Sequence, residues 1–371
     1  MRVLFRVDSS IVIGAGHVRR CLTLADALQA SGAYCWFVTR EKAGDMIETI
    51  AARGYPFFSL PSWNDTESAP REQVEPKLEH ASWLSVSQER DAEQTLDAIG
   101  DSFFDWLVVD HYALDYRWQT KLRSVCEKLM VIDDLADRKH DCDLLLDQNL
   151  GARKDDYLPL TPTHCQLMMG VKYALLRPEF HELRGYSLGR RDRQNGIGRL
   201  IISMGGFDSG NMTGQILEAL ALLELPEFTT ITVVMGGSAP WLETVREQAR
   251  RMPVPTKVLV DIDDMAQQFA EADLAIGAAG ATSWERCCLG LPTILCVLAD
   301  NQVPIADALC AVGAVLLISK LDLNGGVSVG LKQVYNDPML LHRMSVSAAS
   351  VTDGLGAQRL INSSFDVRLS G

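Results

Sequence analysis

The chain has 371 residues, 47% of them apolar and 22% charged, with a formal net charge of −13. That length is more than one core comfortably holds, so two domains are expected. The acidic balance excludes a polyanion such as nucleic acid as partner of the surface as a whole, and an anionic small molecule would need a local pocket of N–H groups and cations.

In chain order, Val3-Leu4-Phe5-Arg6-Val7 reads as a strand, and Arg2, Arg6 and Asp8 break its apolar run too often for a signal peptide. Gly14-Ala15-Gly16-His17-Val18-Arg19 comes next, and the spacing of Val18, Cys21, Leu22, Ala25 and Leu28 predicts an amphipathic helix from near His17. A glycine turn opening a helix offers free N–H groups to an anion. The positive end of the helix also disfavours imidazolium, which suits His17 to accept a proton. The segment matches half of the dinucleotide fingerprint G-x-G-x-x-G, but Arg19 replaces the third glycine. A histidine that merely caps the helix is the plainer alternative.

Further strands are expected at 35–38, 106–109, 129–132 and 144–146, then at 200–203, 231–234, 274–276, 293–296 and 314–317. Continuous apolar runs of this kind suit parallel strands covered on both faces. The expected fold is therefore α/β, two doubly wound Rossmann-like domains facing a central cleft. The expected boundaries are 1–185 for the first domain, 186–198 for an Arg-, Gly- and Asn-rich linker, and 199–345 for the second domain. A tail, 346–371, is free to pack back on the first domain. The polar stretch 62–91 reads as a surface insertion or helical excursion. Residues 289–318 carry Asp300, Asn301, Gln302 and Asp307, so they are not a membrane span. Nine cysteines without C-x-x-C spacing read as buried thiols of a reducing cytoplasm.

Open α/β sheets bind ligands at the carboxyl ends of their strands. There the first half places Asp8-Ser9-Ser10, Asp110-His111-Tyr112, Asp133-Asp134 and Asp147-Gln148-Asn149. Helix caps and turns account for such residues equally well. Asp133-Asp134 has no third ligand at metal-binding spacing, so no metal is expected. The second half has two glycine turns, Met204-Gly205-Gly206 and Gly277-Ala278-Ala279-Gly280-Ala281-Thr282-Ser283-Trp284-Glu285. The N–H groups of the latter, with Thr282 and Ser283, could hold a phosphate, and Glu285 could accept from a ribose diol. Thr282 with Glu285 also fits a capping box.

Together these residues resemble a known family. Arg6-Val7-Asp8-Ser9-Ser10 with Ile13-Gly14-Ala15-Gly16-His17-Val18-Arg19-Arg20 is similar to the signature of the nucleotide-sugar hydrolases of pseudaminic acid synthesis. So, in order, are Asp110-His111-Tyr112, Gly170 with residues 173–180, Met204-Gly205-Gly206 with Asp208 and Asn211, and Asn301-Gln302. The stretch 62–91 and the end of the chain match no motif. The resemblance implies a GT-B architecture related to the lipid II-forming glycosyltransferase MurG. It implies cleavage of UDP from UDP-2,4-diacetamido-2,4,6-trideoxy-β-L-altropyranose with inversion, His17 acting as general base on water, in a pathway that serves flagellin glycosylation. It further implies that Gly205, Gly206, Gly280, Thr282, Ser283 and Glu285 hold UDP, that Tyr112, Asn149 and Asn301 face the sugar, and that Asp8, Gly14 and Gly16 also bind the substrate. The expected partner is the UDP-sugar alone, with no cofactor, no nucleic acid, no membrane insertion and a monomer favoured. A MurG-like glycosyltransferase and a non-catalytic UDP-sugar binder remain the alternatives.

Overall fold

A computed structural model of the chain describes residues 1–62, 78–193, 196–319 and 322–365. The chain divides into two units, Met1–Leu175 with Gly356–Gly371, and Leu176–Leu355. Both are parallel-sheet α/β units. Among the described residues no helix is long and apolar enough to cross a membrane.

Among the described residues the first unit is built on seven parallel strands: β1 (Arg2–Val7), β2 (Tyr34–Arg40), β3 (Phe57–Leu60), β4 (Phe104–Asp110), β5 (Cys126–Ile132), β6 (Leu144–Asp147) and β7 (Gln166–Met169). Their order is β3-β2-β1-β4-β5-β6-β7. Val3 to Val7 are all buried because helices cover both faces of β1. On one face the helix Gly16–Ala30 buries Val18, Cys21, Leu22, Ala25 and Leu28 against Val3, Phe5, Val7 and Phe37, the stripe that its spacing predicts. On the other face Leu4, Leu107, Val109 and Leu129 pack with Trp118 and Leu122. The helix Gly356–Ser364 adds Ala357, Leu360 and Ile361 to the first of these cores, and the ring of Phe365 lies 4.6 Å from that of Trp106. Gly356 is required there, since a Cβ would come within 2.2 Å of the Ala174 carbonyl oxygen.

The second unit has six parallel strands among the described residues: β8 (Arg199–Ser203), β9 (Thr230–Met235), β10 (Thr256–Val260), β11 (Leu274–Ala278), β12 (Thr293–Cys296) and β13 (Val315–Ile318). They run β10-β9-β8-β11-β12-β13. In each sheet the strand order reverses once. In the first unit β1 neighbours both β2 and β4, and Val7 pairs with Asp110. In the second β8 neighbours both β9 and β11, and Ser203 pairs with Gly277. At such a switch point the loops leaving the two adjacent strands diverge and leave a crevice for a ligand.

Three strands escape the sequence reading: β3, β7 and β10. All three are sheet edges. Only Leu60 of β3 is buried, and no residue of β10 is, so neither shows the apolar run of a strand covered on both faces. Residues 186–191, read as linker from their arginines, are helical instead, the last turns of the helix Pro178–Arg191. Arg190 and Arg191 are spent on structure, donating to the carbonyls of Phe269, Ala270, Ala272 and Leu289. Of the stretch 62–91, residues 63–77 lie outside the described residues. The remainder forms a 3-10 turn, Ala81–Trp83, and enters the helix Gln88–Ile99, capped by Ser87. Two cysteines depart from the expectation of burial: Cys165 is half-buried and Cys310 exposed.

Candidate active site

Behind β1 the chain makes a tight turn. The Ser10 carbonyl accepts from Gly14 N, the Ser10 hydroxyl accepts from Val12 N and Ile13 N, and Gly14 takes φ +78°, a conformation that favours glycine. The helix opens at Gly16, which puts His17 in its first turn. From there the imidazole reaches the carboxyl end of β4, where Nδ1 lies 2.6 Å from Asp110 Oδ1. Asp110 is fully buried and also binds Arg20 through both oxygens, at 2.6 Å each. Burial disfavours its charge, but Arg20 and His17 outweigh that and hold the carboxyl well below the usual range. An ionised Asp110 can only accept, so Nδ1 carries the proton and Nε2 keeps the lone pair. The 3.2 Å approach of Arg20 Nη2 to Nδ1 then sets two donors side by side, each satisfied by Asp110.

A second carboxylate completes the cluster. Asp134, just past β5, pairs with Arg20 Nη1 at 3.2 Å and accepts from the Tyr112 hydroxyl. The Tyr112 ring stands edge-on to His17, 4.7 Å away at 84°. Burial, and next the charge of Asp134, push the Tyr112 phenol well above its ordinary range, which keeps it a hydrogen-bond donor. Two further rings join them: Trp83 stacks on Tyr112 at 5.2 Å and 24°, and His80 lies 4.6 Å from Trp83. The His17 side chain is only 9% exposed, which leaves an opening for a small group such as water and not for bulk solvent.

The residues expected from the sequence divide sharply here. His17, Gly14, Gly16 and Tyr112 gather at the β1–β4 switch point. Asp8 does not join them: it is fully buried, and its carboxylate binds Arg6, His111 and the Arg40 amide. It braces β1 against β2 and presents no surface to a ligand. Asn149 sits at the end of β6, half-buried, its amide donating to Asp147. Burial, and then the charge of Asp134, push the carboxyl of Asp147 up to about 7 against the hydrogen bond from Asn149. Sequence reading named Asp110 and Asp134 at strand ends and Arg20 within the signature, but gave none of them a role in the site. Arg19 was the residue weighed, yet it faces solvent and Arg20 turns inward.

In the second unit Gly205 takes φ +96° after β8, while Gly206 is exposed and its carbonyl accepts from Gly236 N. Asp208 and Asn211 cap the helix Met212–Ala221, taking the amides of Met212, Thr213 and Gly214. At the neighbouring strand end, the helix Thr282–Cys288 begins without a capping box: its N-cap is Ala281, and no side chain caps it. Instead Ser283 Oγ accepts from Gly280 N and from Arg286, and Arg286 Nη1 reaches Thr282 Oγ1 at 3.4 Å. Arg286 is 2% exposed, and burial lowers its guanidinium to about 10. Ser283 is buried beneath the loop, whereas Thr282 and Glu285 are half-buried. Asn301 lies in the 3-10 turn Asp300–Gln302 after β12, and its side chain is outside the described ones.

Comparison with known proteins fits this layout. Residues 202–359 match the family model described as glycosyltransferase family 28 C-terminal domain. The chain is 28% identical over 283 residues, 76% of its length and 86% of the relative's, to the UDP-2,4-diacetamido-2,4,6-trideoxy-β-L-altropyranose hydrolase of Campylobacter jejuni. It is 32% identical over 139 residues to the UDP-N-acetylglucosamine–N-acetylmuramyl-(pentapeptide) pyrophosphoryl-undecaprenol N-acetylglucosamine transferase of Cupriavidus necator, matching 36% of this chain and 38% of that one. Among solved structures, MurG of Acinetobacter baumannii aligns with a TM-score of 0.64 at 18% identity, covering 97% of this chain and 98% of its own. The fold is thus that of MurG and the GT-B glycosyltransferases; the chain is similar to the Campylobacter jejuni UDP-2,4-diacetamido-2,4,6-trideoxy-β-L-altropyranose hydrolase over most of its length, and its residues 202–359 are similar to the glycosyltransferase family 28 C-terminal domain.

Proposed function

We propose that the chain is a nucleotide-sugar hydrolase that releases UDP from UDP-2,4-diacetamido-2,4,6-trideoxy-β-L-altropyranose and yields the free 2,4-diacetamido-2,4,6-trideoxy-L-altrose for pseudaminic acid synthesis. The observation that carries this reading is the His17–Asp110 pair, an imidazole whose Nδ1 is held by a buried carboxylate and whose Nε2 is left to accept a proton from water. A water oxygen attacks the anomeric carbon while Nε2 takes one of its protons. The bond from C1 to the β-phosphate oxygen breaks, and its electron pair leaves with UDP. Attack opposite the leaving group inverts the anomeric centre. Asp110 stabilises the imidazolium formed, and Arg20 keeps Asp110 ionised for that task.

The second unit contributes the diphosphate seat in this reading. Gly205, Gly206, Gly280 and Thr282 offer amides and a hydroxyl, Ser283 and Arg286 brace the loop, and Glu285 accepts from the ribose. Tyr112, Asn149 and Asn301 face the sugar. UDP is a good leaving group, so the reaction asks for charge stabilisation and not for a protonating acid.

The match of the second unit to a transferase family favours one other reading, in which a sugar hydroxyl replaces water. Incubation with the UDP-sugar and no acceptor, monitored by proton NMR, separates the two. Hydrolysis gives UDP and a free sugar whose first-formed anomer is inverted, with or without EDTA. UDP release that waits for an added acceptor would make the chain a transferase.

A further inference from the structure

Residues 78–87 precede the helix Gln88–Ile99 and match no motif of the resembled family, yet they deliver two rings to the catalytic histidine. We propose that His80 and Trp83 form the wall of the site that contacts the glycosyl group and selects sugars bearing apolar substituents, such as a 6-methyl or N-acetyl methyl group. This rests on the hydrolase reading above. The Trp83 ring lies 5.9 Å from His17 at 82° and stacks on Tyr112, while His80 lies 5.3 Å from Tyr112. Trp83 and Tyr112 thus border the base, and His80 packs on both of them.

The segment is held in place through residues 83–88. The ammonium of Lys42, itself paired with Asp8 at 3.6 Å, donates to the Trp83 carbonyl. Leu84 is 1% exposed in the core beneath. Gln88 accepts from the Asp115 amide at 3.0 Å, and Ser87 caps the helix beyond. Trp83 packs one side on the core that holds Leu84 and Trp118 and keeps the rest of its ring outside it. His80 and Trp83 stay half-buried beside the base. Among the described residues the His80 imidazole has ring contacts and no hydrogen-bond partner. An aromatic face next to an imidazole with unused hydrogen-bonding capacity suits a substituted sugar: apolar C–H groups stack on Trp83, and a hydroxyl or acetamido group pairs with His80.

The test compares the parent with Trp83→Leu, Trp83→Phe and His80→Leu. Calorimetry on each of these in a His17→Ala background, where the sugar is not consumed, gives affinities for UDP and for the UDP-diacetamido sugar, and initial rates with His17 intact give KM and kcat. Trp83→Leu should weaken the UDP-sugar and raise KM by about tenfold while UDP affinity stays within about twofold, and Trp83→Phe should recover most of the loss. His80→Leu should likewise weaken the sugar and not UDP. The proposal is overturned if Trp83→Leu binds the UDP-sugar as the parent does, or loses UDP and UDP-sugar affinity equally together with melting temperature. A parent that binds the UDP-sugar but never releases UDP would sink the hydrolase reading, and the affinity ratio of sugar nucleotide to UDP would still decide the wall.

Discussion

At the scale of single residues the site depends on one carboxylate serving two partners. Asp110 fixes the tautomer of His17 and neutralises Arg20, and its own position at the end of β4 comes from pairing with β1. Asp110→Asn keeps the shape but loses the charge. The amide can stabilise neither the Nδ1–H tautomer in competition with Arg20 nor the imidazolium of the reaction. The expected result is a kcat lower by about 10²- to 10⁴-fold, with affinity for UDP within about twofold of the parent. Steady-state rates and calorimetry on the same preparation check this, and a kcat within about threefold would remove Asp110 from the mechanism. His17 could be read from its glycine turn, but this partnership could not. Asp110 is distant from His17 in the chain, and only the adjacency of β1 and β4 brings them together.

At the scale of elements, the glycines of the loops sort themselves by what the fold demands. Gly14 and Gly205 have positive φ and are needed by the backbone. Gly16, Gly206 and Gly280 do not, and a Cβ on any of them meets nothing within 4 Å. The protein alone therefore gives no reason for glycine at those three positions, whereas the proposed diphosphate seat gives one for Gly206 and Gly280, whose amides a diphosphate would approach closely. Gly206→Ala and Gly280→Ala should melt as the parent does yet bind UDP about tenfold more weakly. Gly205→Ala, by contrast, should lower the melting temperature through backbone strain, on the order of 1 kcal/mol or more. Thermal melts beside UDP titrations decide the matter, and unchanged UDP affinity in both Gly206→Ala and Gly280→Ala would move the diphosphate elsewhere. Central strands and glycine turns were legible because burial on both faces writes apolar runs and special φ values write glycine. Edge strands β3, β7 and β10 were not, since half-exposed edges lack that signature. Trp83 was hidden for another reason: its stretch of sequence carries no motif, and its place beside His17 comes from a distant turn of the chain.

At the scale of the whole chain the two units carry their charges differently, and acid should tell them apart. The first unit buries Asp8, Asp91, Asp110 and Asp133 beside guanidinium groups: Arg6 binds Asp8 and Asp91, Arg40 binds Asp91, Arg20 binds Asp110 and Arg138 binds Asp133. Burial opposes each carboxylate, yet the paired arginines outweigh it and hold all four below the ordinary range. Each then binds a proton less readily folded than unfolded, so its contribution is complete above the ordinary carboxylate range and is lost as the pH falls toward the folded value. His111 adds to this from a higher pH, because burial lowers its affinity for a proton in the folded chain. In the second unit Arg191 and Arg286 are buried cations held by carbonyls and hydroxyls, and their charge state does not change on acidification from neutrality; its buried carboxylates are fewer among the described residues, Asp273 paired with Arg190 and Asp208 capping a helix. Hydrogen exchange read by mass spectrometry, stepped from neutral pH to about pH 3, should therefore show β1, β4 and β5 losing protection while β8 and β11 retain it. Loss of both sheets at the same pH, or of the second sheet first, would contradict the assignment of acid sensitivity to the buried carboxylate–arginine network of the first unit.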